Sequence, residues 1–256
     1  HLSPRAVVGQ DDPMTADFAD ISAALTSQWD RLRTWVAPLG DDLLGTRDRP
    51  SALDGWTNGE LVAHLGRAME ALAVCTPAPA GTVPLTLAEY LGTYPERAAD
   101  ISEVTRALAA EIAHAPLVEV EARAQKAFAA LDALGPDGHR VVQARRGPVR
   151  LRDMAMSRLV ELVVHAEDLV ASLSGVVGSA GPANPIDRTA QRIVAEELLD
   201  IVVRRGAGSL EVTDPGLWIR LATGRTPYDV DDLARALASQ DTAGGVPDLG
   251  RMLPIL

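Results

Sequence analysis

The chain has 256 residues, of which 47% are hydrophobic and only 4% aromatic, and its formal net charge is −11. That length and apolar content exclude a disordered chain and suffice for one large or two modest domains. The acidic balance excludes a nucleic-acid binder, because the Arg145–Arg146 cluster with Arg140, Arg150 and Arg152 is too small an electrostatic footprint.

A single cysteine, Cys75, rules out an internal disulfide and a four-cysteine zinc site, and fits a reducing, cytoplasmic setting. No apolar run reaches the ~20 residues of a membrane span. Abundant Ala and Leu with few aromatics favour a mainly α fold.

The elements follow in chain order. Residues 1–13 lack the order of a signal peptide and read as a leader or an expression remnant, with Met14 a plausible start. From Thr15 to about Pro38, Phe18, Ile21, Leu25, Trp29, Leu32 and Val36 recur in steps of three and four, one face of a helix. Residues 41–55 read as a loop. A second helix starts at Thr57, which has capping-box spacing with Glu60, and runs to about Cys75. A Pro-rich connection over 76–86 precedes helical stretches at 87–114 and 116–134, interrupted near Pro95. Residues 139–151 read as a hairpin turning at Arg146–Gly147.

A long helix is predicted over 151–173, then a Gly- and Pro-rich linker at 175–185. Beyond it lie a helix at about 186–204 and a mixed tail with one amphipathic segment, Val230–Ala238. The expected organisation is a bundle of about four helices over 14–174, a linker at 175–185 and a small α+β C-terminal domain at 186–256.

The segment MAMSRLVELVVHAEDL (154–169) carries the chemistry. At about 100° per residue, Met154, Arg158, Glu161, His165 and Asp168 fall within a sector of roughly 80° on an otherwise apolar helix. A narrow polar stripe on a buried helix must face something polar inside. Glu161 and His165, one turn apart, can converge on one ion. His64, between Leu61 and Leu65 on the apolar face of the second helix, is the natural third ligand; His1, His114 and His139 lie at ends of the chain or of elements. The residue types leave other readings open. His64 also suits a hydrogen-bonded core position, and a Glu–His pair at this spacing is commonly a surface contact. Asp168 reads either as an acceptor for a ligand's ring N–H or as a solvent contact. Arg158 reads as a partner of Glu161 or as an anion contact, and Cys75 as a small buried hydrophobe.

At these residues the sequence resembles the mycothiol-dependent maleylpyruvate isomerase family, part of the DinB-like superfamily of metal-binding four-helix bundles. LDGWTNGELVAHL (53–65) matches that family's Gly-Trp-Thr turn before a histidine-bearing helix, and SRLVELVVHAEDL (157–169) its Arg-x-x-Glu-x-x-x-His-x-x-Asp-Leu helix. The resemblance implies metal ligation by His64, Glu161 and His165, with Arg158 and Asp168 supporting the bound group. The tail LEVTDPGLWIRLATGR (210–225) resembles the family's small sterol-carrier-like domain, which implies a catalytic role for Arg225 toward a substrate carboxylate or enolate; a solvated turn arginine is the other reading.

The activity so implied is activation of mycothiol, the small thiol of actinobacteria, on a divalent metal. Zinc suits the ligands best, and nickel, iron or cobalt also fit. The thiol adds to a small electrophile, as in an isomerase or an S-transferase. A carrier of an apolar molecule with a structural metal, and a metal-dependent hydrolase, are the alternatives. The expected partners are small molecules, with no nucleic acid and no membrane, for a monomer or homodimer.

Overall fold

The computed structural model describes residues 15–173, 175–176, 184–241 and 244–256. Residues 1–13 and most of the 175–185 linker lie outside them. The first helix, α1 (Phe18–Val36), starts where the Asp17 carboxylate accepts from the Asp20 N–H at 2.8 Å. It turns Ile21, Leu25, Trp29 and Leu32 inward, the face that the periodicity marks. Helix α2 (Asn58–Ala73) opens on the expected capping box. Thr57 Oγ1 accepts from Glu60 N at 3.2 Å, and Glu60 Oε2 accepts from Thr57 N at 2.7 Å.

The Pro-rich connection holds a two-residue strand, β1 (Thr76–Pro77), that carries no periodic signal in the sequence. The helical stretch after it is cut into α3 (Leu87–Leu91) and α4 (Ala98–Glu111) by a short turn at Pro95–Arg97, and α5 (Pro116–Leu134) follows. Strands β2 (Val141–Ala144) and β3 (Gly147–Arg150) form the hairpin, with Ala144 opposite Gly147. The turn is therefore Arg145–Arg146, one residue earlier than the sequence suggests. The sheet order is β1-β2-β3, antiparallel throughout.

Helix α6 (Leu151–Leu173) spans the interval the sequence marks, and its residues from Met154 to Ala166 are all buried. It is packed by α1 and α2 on one side and by α7 (Arg188–Val202) on another. Helices α2 and α5 form the most extensive helix pair. Strand β4 (Leu210–Val212), helices α8 (Pro215–Ala222) and α9 (Val230–Ala236) and strand β5 (Leu237–Ser239) complete the chain, with β4 and β5 antiparallel. The fold is mainly α, as composition suggests. No helix among the described residues is long and apolar enough to cross a membrane.

Polar ties join the C-terminal segment to the bundle. The buried Gln28 amide of α1 donates to Pro185 O at 2.9 Å and accepts from Asp187 N at 2.9 Å. Arg152 grips Glu197 of α7 through both Nη atoms, at 3.0 and 2.7 Å. The apolar faces of α6 and α7 close between these points.

Candidate metal centre

Helices α2 and α6 bring His64, Glu161 and His165 together, all three buried. Both imidazoles direct Nε2 at one oxygen, Glu161 Oε2, at 3.1 Å from His64 and 3.2 Å from His165. The three ligand atoms lie within 4.8 Å of one another. A tetrahedral cation with bonds of about 2.0–2.2 Å spaces its ligand atoms about 3.3 Å apart. Two of the three spacings, at 3.1 and 3.2 Å, match that value, and the third lies within 4.8 Å, so the donor set suits one small divalent cation.

The second nitrogen of each ring is held in place. His165 Nδ1 pairs with Asp168 Oδ2 at 2.9 Å, and His64 Nδ1 with Thr105 Oγ1 of α4 at 3.3 Å. Such contacts fix ring orientation and leave Nε2 for a ligand role. The two rings meet edge-on at 4.5 Å, and Trp56 packs edge-on against His64 at 4.9 Å. Trp56 belongs to the turn that also caps α2, so one motif both starts the helix and walls its histidine.

Burial is the largest single influence on each of the four groups, but it sets the direction only at His64. Burial holds His64 below the ordinary imidazole value, with His165 pushing the same way, which favours the neutral form that ligation requires. Burial raises Glu161, but hydrogen bonds from His165 and His64 outweigh it and hold the carboxyl well below the usual range. For His165 the desolvation is outweighed by Asp168 and Glu161, and its value rises. Asp168 is also desolvated, yet its bond to His165 and the charge of Arg225 bring it down.

Arg158 does not form an ion pair with Glu161. It is buried and donates to Ser157 Oγ at 3.2 Å, Ala68 O at 2.9 Å and Tyr94 Oη at 2.9 Å. Arg225 reaches the site from the C-terminal segment. Its Nε and Nη2 donate to the two oxygens of Asp168 at 3.2 and 3.1 Å, and its Nη1 to Thr223 O at 3.3 Å.

Two chambers flank the donor set and share His64, Tyr94, Ile101 and Glu161. One is mostly apolar, lined by Leu53, Trp56, Pro95, Val160, Val164 and Leu256, with His165 and Arg225 on its wall. The other is cationic: Arg67, Arg97, Arg145, Arg146 and Arg158 face it against the carboxylates Asp100 and Glu161. Arg146 lies over Tyr94 at 3.9 Å and Tyr90 at 4.4 Å and donates to Thr93 Oγ1 at 3.1 Å. Arg67 and Arg145 share Glu70, at 3.3 and 3.0 Å.

Sequence reasoning misses Thr105, Tyr94 and this arginine chamber. The Arg145–Arg146 cluster is visible in the sequence, but it weighs only against nucleic acid until the hairpin is placed. Tyr90 and Tyr94, four positions apart in a chain with three tyrosines, are the signal that could have pointed to it.

The comparisons accord with this geometry. The model of the mycothiol maleylpyruvate isomerase N-terminal domain family matches residues 25–170, which includes all three donors. A crystal structure of the mycothiol-dependent maleylpyruvate isomerase shares the fold, with a TM-score of 0.54 at 16% identity over 91% of this chain and 97% of that chain. A crystal structure of a histidine-to-alanine mutant of that isomerase gives 0.51 at 15% identity over the same shares. No curated protein matches. With more than half of its length covered by the family model, the chain belongs to the mycothiol maleylpyruvate isomerase N-terminal domain family.

Proposed function

We propose that this chain is a mycothiol-dependent isomerase of the maleylpyruvate type, working with one divalent cation held by His64, Glu161 and His165. One observation carries the reading: three buried donor atoms converge within 4.8 Å and line an open chamber. Two imidazoles and one carboxylate suit zinc, and such a set leaves a position for a reactant. A structural zinc site normally has four protein ligands. The three-membered set found among the described residues favours an enzyme over a carrier with a structural metal.

A bound cation supplies the charge that keeps a thiol ionised at neutral pH. Cys75 is no candidate for that thiol, since burial pushes it up to about 11. A small co-substrate therefore brings the sulfur, and the related isomerase is named for mycothiol. The thiolate sulfur adds to one carbon of a conjugated double bond, and the displaced electron pair moves onto the carbonyl oxygen. The former double bond, now single, rotates. The pair then returns, and sulfur leaves with its bonding electrons. If the adduct takes a proton from solvent and dissociates instead, the outcome is S-transfer.

The arginine chamber favours an anionic electrophile, because it is a positive pocket in an acidic protein. Arg146, held flat by two tyrosines, orients a carboxylate there. Arg225 has two of its five N–H donors left for a developing enolate oxygen.

The test is metal content, followed by turnover of a small cis-alkenoic keto acid with and without mycothiol. His64→Ala should lose both metal and turnover. Activity that persists without metal would defeat the mechanism, and activity without thiol would favour a hydrolase using bound water.

A further inference from the structure

One side chain of the C-terminal segment, Arg225, reaches the carboxylate that holds the donor His165. Helix α8 ends at Ala222, and Gly224, at φ +70°, reverses the backbone so that Arg225 N donates to Arg220 O at 2.8 Å. A Cβ at Gly224 would stand 3.3 Å from Pro254, so the turn is also pressed against the end of the chain. From this turn the Arg225 guanidinium spans both oxygens of Asp168, at 3.2 and 3.1 Å. Asp168 Oδ2 meets His165 Nδ1 at 2.9 Å, and His165 Nε2 lies 3.2 Å from Glu161 Oε2. Asp168 and His165 are buried, and the Arg225 side chain is 27% exposed. Among the described residues Arg225 is the only arginine paired with Asp168; the neighbouring Glu167 faces Arg220 instead.

A carboxylate held at one oxygen can still swing about its terminal torsion. A two-point guanidinium fork fixes its plane. The oxygen that receives His165 Nδ1–H is then fixed too, and with it the direction of Nε2.

We infer that Arg225 is a positioning residue of the cation site: its grip on Asp168 holds the His165 ring in its ligating pose, so that cation affinity depends on the docked C-terminal segment. The inference rests on the reading of His64, Glu161 and His165 as a cation site and adds to it a dependence on residues 186–256. Coupling of this kind is reciprocal. Cation binding therefore tightens the docking of the segment that carries Arg225.

The test uses the full chain and zinc alone, without thiol or substrate, so that any contact of Arg225 with a reactant plays no part. Zinc affinity is measured by competition with a chromophoric chelator for the wild type, Arg225→Met, Arg225→Lys, Asp168→Asn and the Arg225→Met/Asp168→Asn double variant. Asp168→Asn should weaken zinc binding about 10–100-fold. Arg225→Met should weaken it on the order of tenfold. Arg225→Lys should fall between wild type and Arg225→Met, since an ammonium is a point donor that cannot span both oxygens. The double variant should bind no more weakly than Asp168→Asn alone.

Affinity within about twofold of wild type in Arg225→Met, or additive losses in the double variant, overturns the positioning role. If Arg225→Met does not fold without metal, Arg225→Lys decides in its place. As a second readout, zinc should slow amide hydrogen exchange over residues 219–226; tight zinc binding with unchanged exchange there also overturns the coupling. No zinc uptake by the wild type would defeat the cation site itself, an outcome distinct from wild-type affinity in Arg225→Met.

Discussion

Arg158 is a charge with almost no contact with water, at 2% exposure, and its three hydrogen-bond acceptors are all uncharged. What offsets its burial is the Tyr94 hydroxyl that accepts its bond, with Tyr90 and Glu161 close by. The same dry surroundings act on Cys75. Desolvation pushes its thiol up to about 11 despite the opposing charge of Arg158, and its S–H donates to Ala71 O at 3.3 Å. At pH 8 only about one molecule in a thousand then carries a thiolate, so alkylation by iodoacetamide should be very slow in the folded protein and fast in denaturant. Rapid native labelling at pH 8 would contradict that environment. The grouping of His64, Glu161 and His165 was legible in the sequence because His64 lies on an apolar helical face and the other two share a narrow polar stripe on an otherwise apolar helix, with the motif resemblance joining them. Thr105 and Arg146 were not, because each meets the site from a separate segment whose approach no local pattern encodes, and the Tyr90–Tyr94 spacing marks a pair of aromatics without saying what they face.

Among the elements, α2 and α5 approach closely at a glycine. A Cβ on Gly66 would lie 3.2 Å from Val120 Cγ2 and from Arg123 Cδ, so the missing side chain is what lets the helices meet. Gly66→Ala asks those side chains to give slightly, whereas Gly66→Leu must part the helices. We expect Gly66→Leu to destabilise the chain by about 1–3 kcal/mol in urea titration, and an unchanged midpoint would refute the close packing. Helix boundaries were largely readable: the Thr57 capping box and the 151–173 helix stand where the sequence puts them. The sheet was less so. Strand β1 has two residues, one of them Pro77, and exists only because β2 pairs with it across more than sixty intervening positions. The hairpin turn was placed one residue late because Gly147 was read as its turn glycine. Its φ of +127° does need glycine, yet it opens β3 opposite Ala144.

At the scale of the whole molecule, a cation that binds only the folded chain must stabilise it. A free concentration one hundred times Kd adds about 2.7 kcal/mol. For a chain of this size that is a rise of about 5–10 °C in Tm on adding zinc, reversed by a chelator and absent in Glu161→Gln. An equal shift in Glu161→Gln would place the cation elsewhere. The division of the chain at 175–185 remains our proposal, drawn from composition. The ties through Gln28, Arg152 and Arg225 show how firmly the segments on either side are joined.

The almost complete immersion of α6 separates two kinds of evolutionary freedom. Glu161 and His165 sit on a helix whose neighbours touch it on nearly every side, so few changes there escape a packing cost. Helices α2, α4 and α6 supply the inner walls of the chambers, and the rest comes from a loop at Leu53–Trp56, the turn after α3, a hairpin tip at Arg145–Arg146 and the C-terminal stretch. Such pieces accept insertions and exchanges at little cost to stability. Descendants of this scaffold can therefore trade one reactant for another at the rim while the ion-binding heart stays as it is.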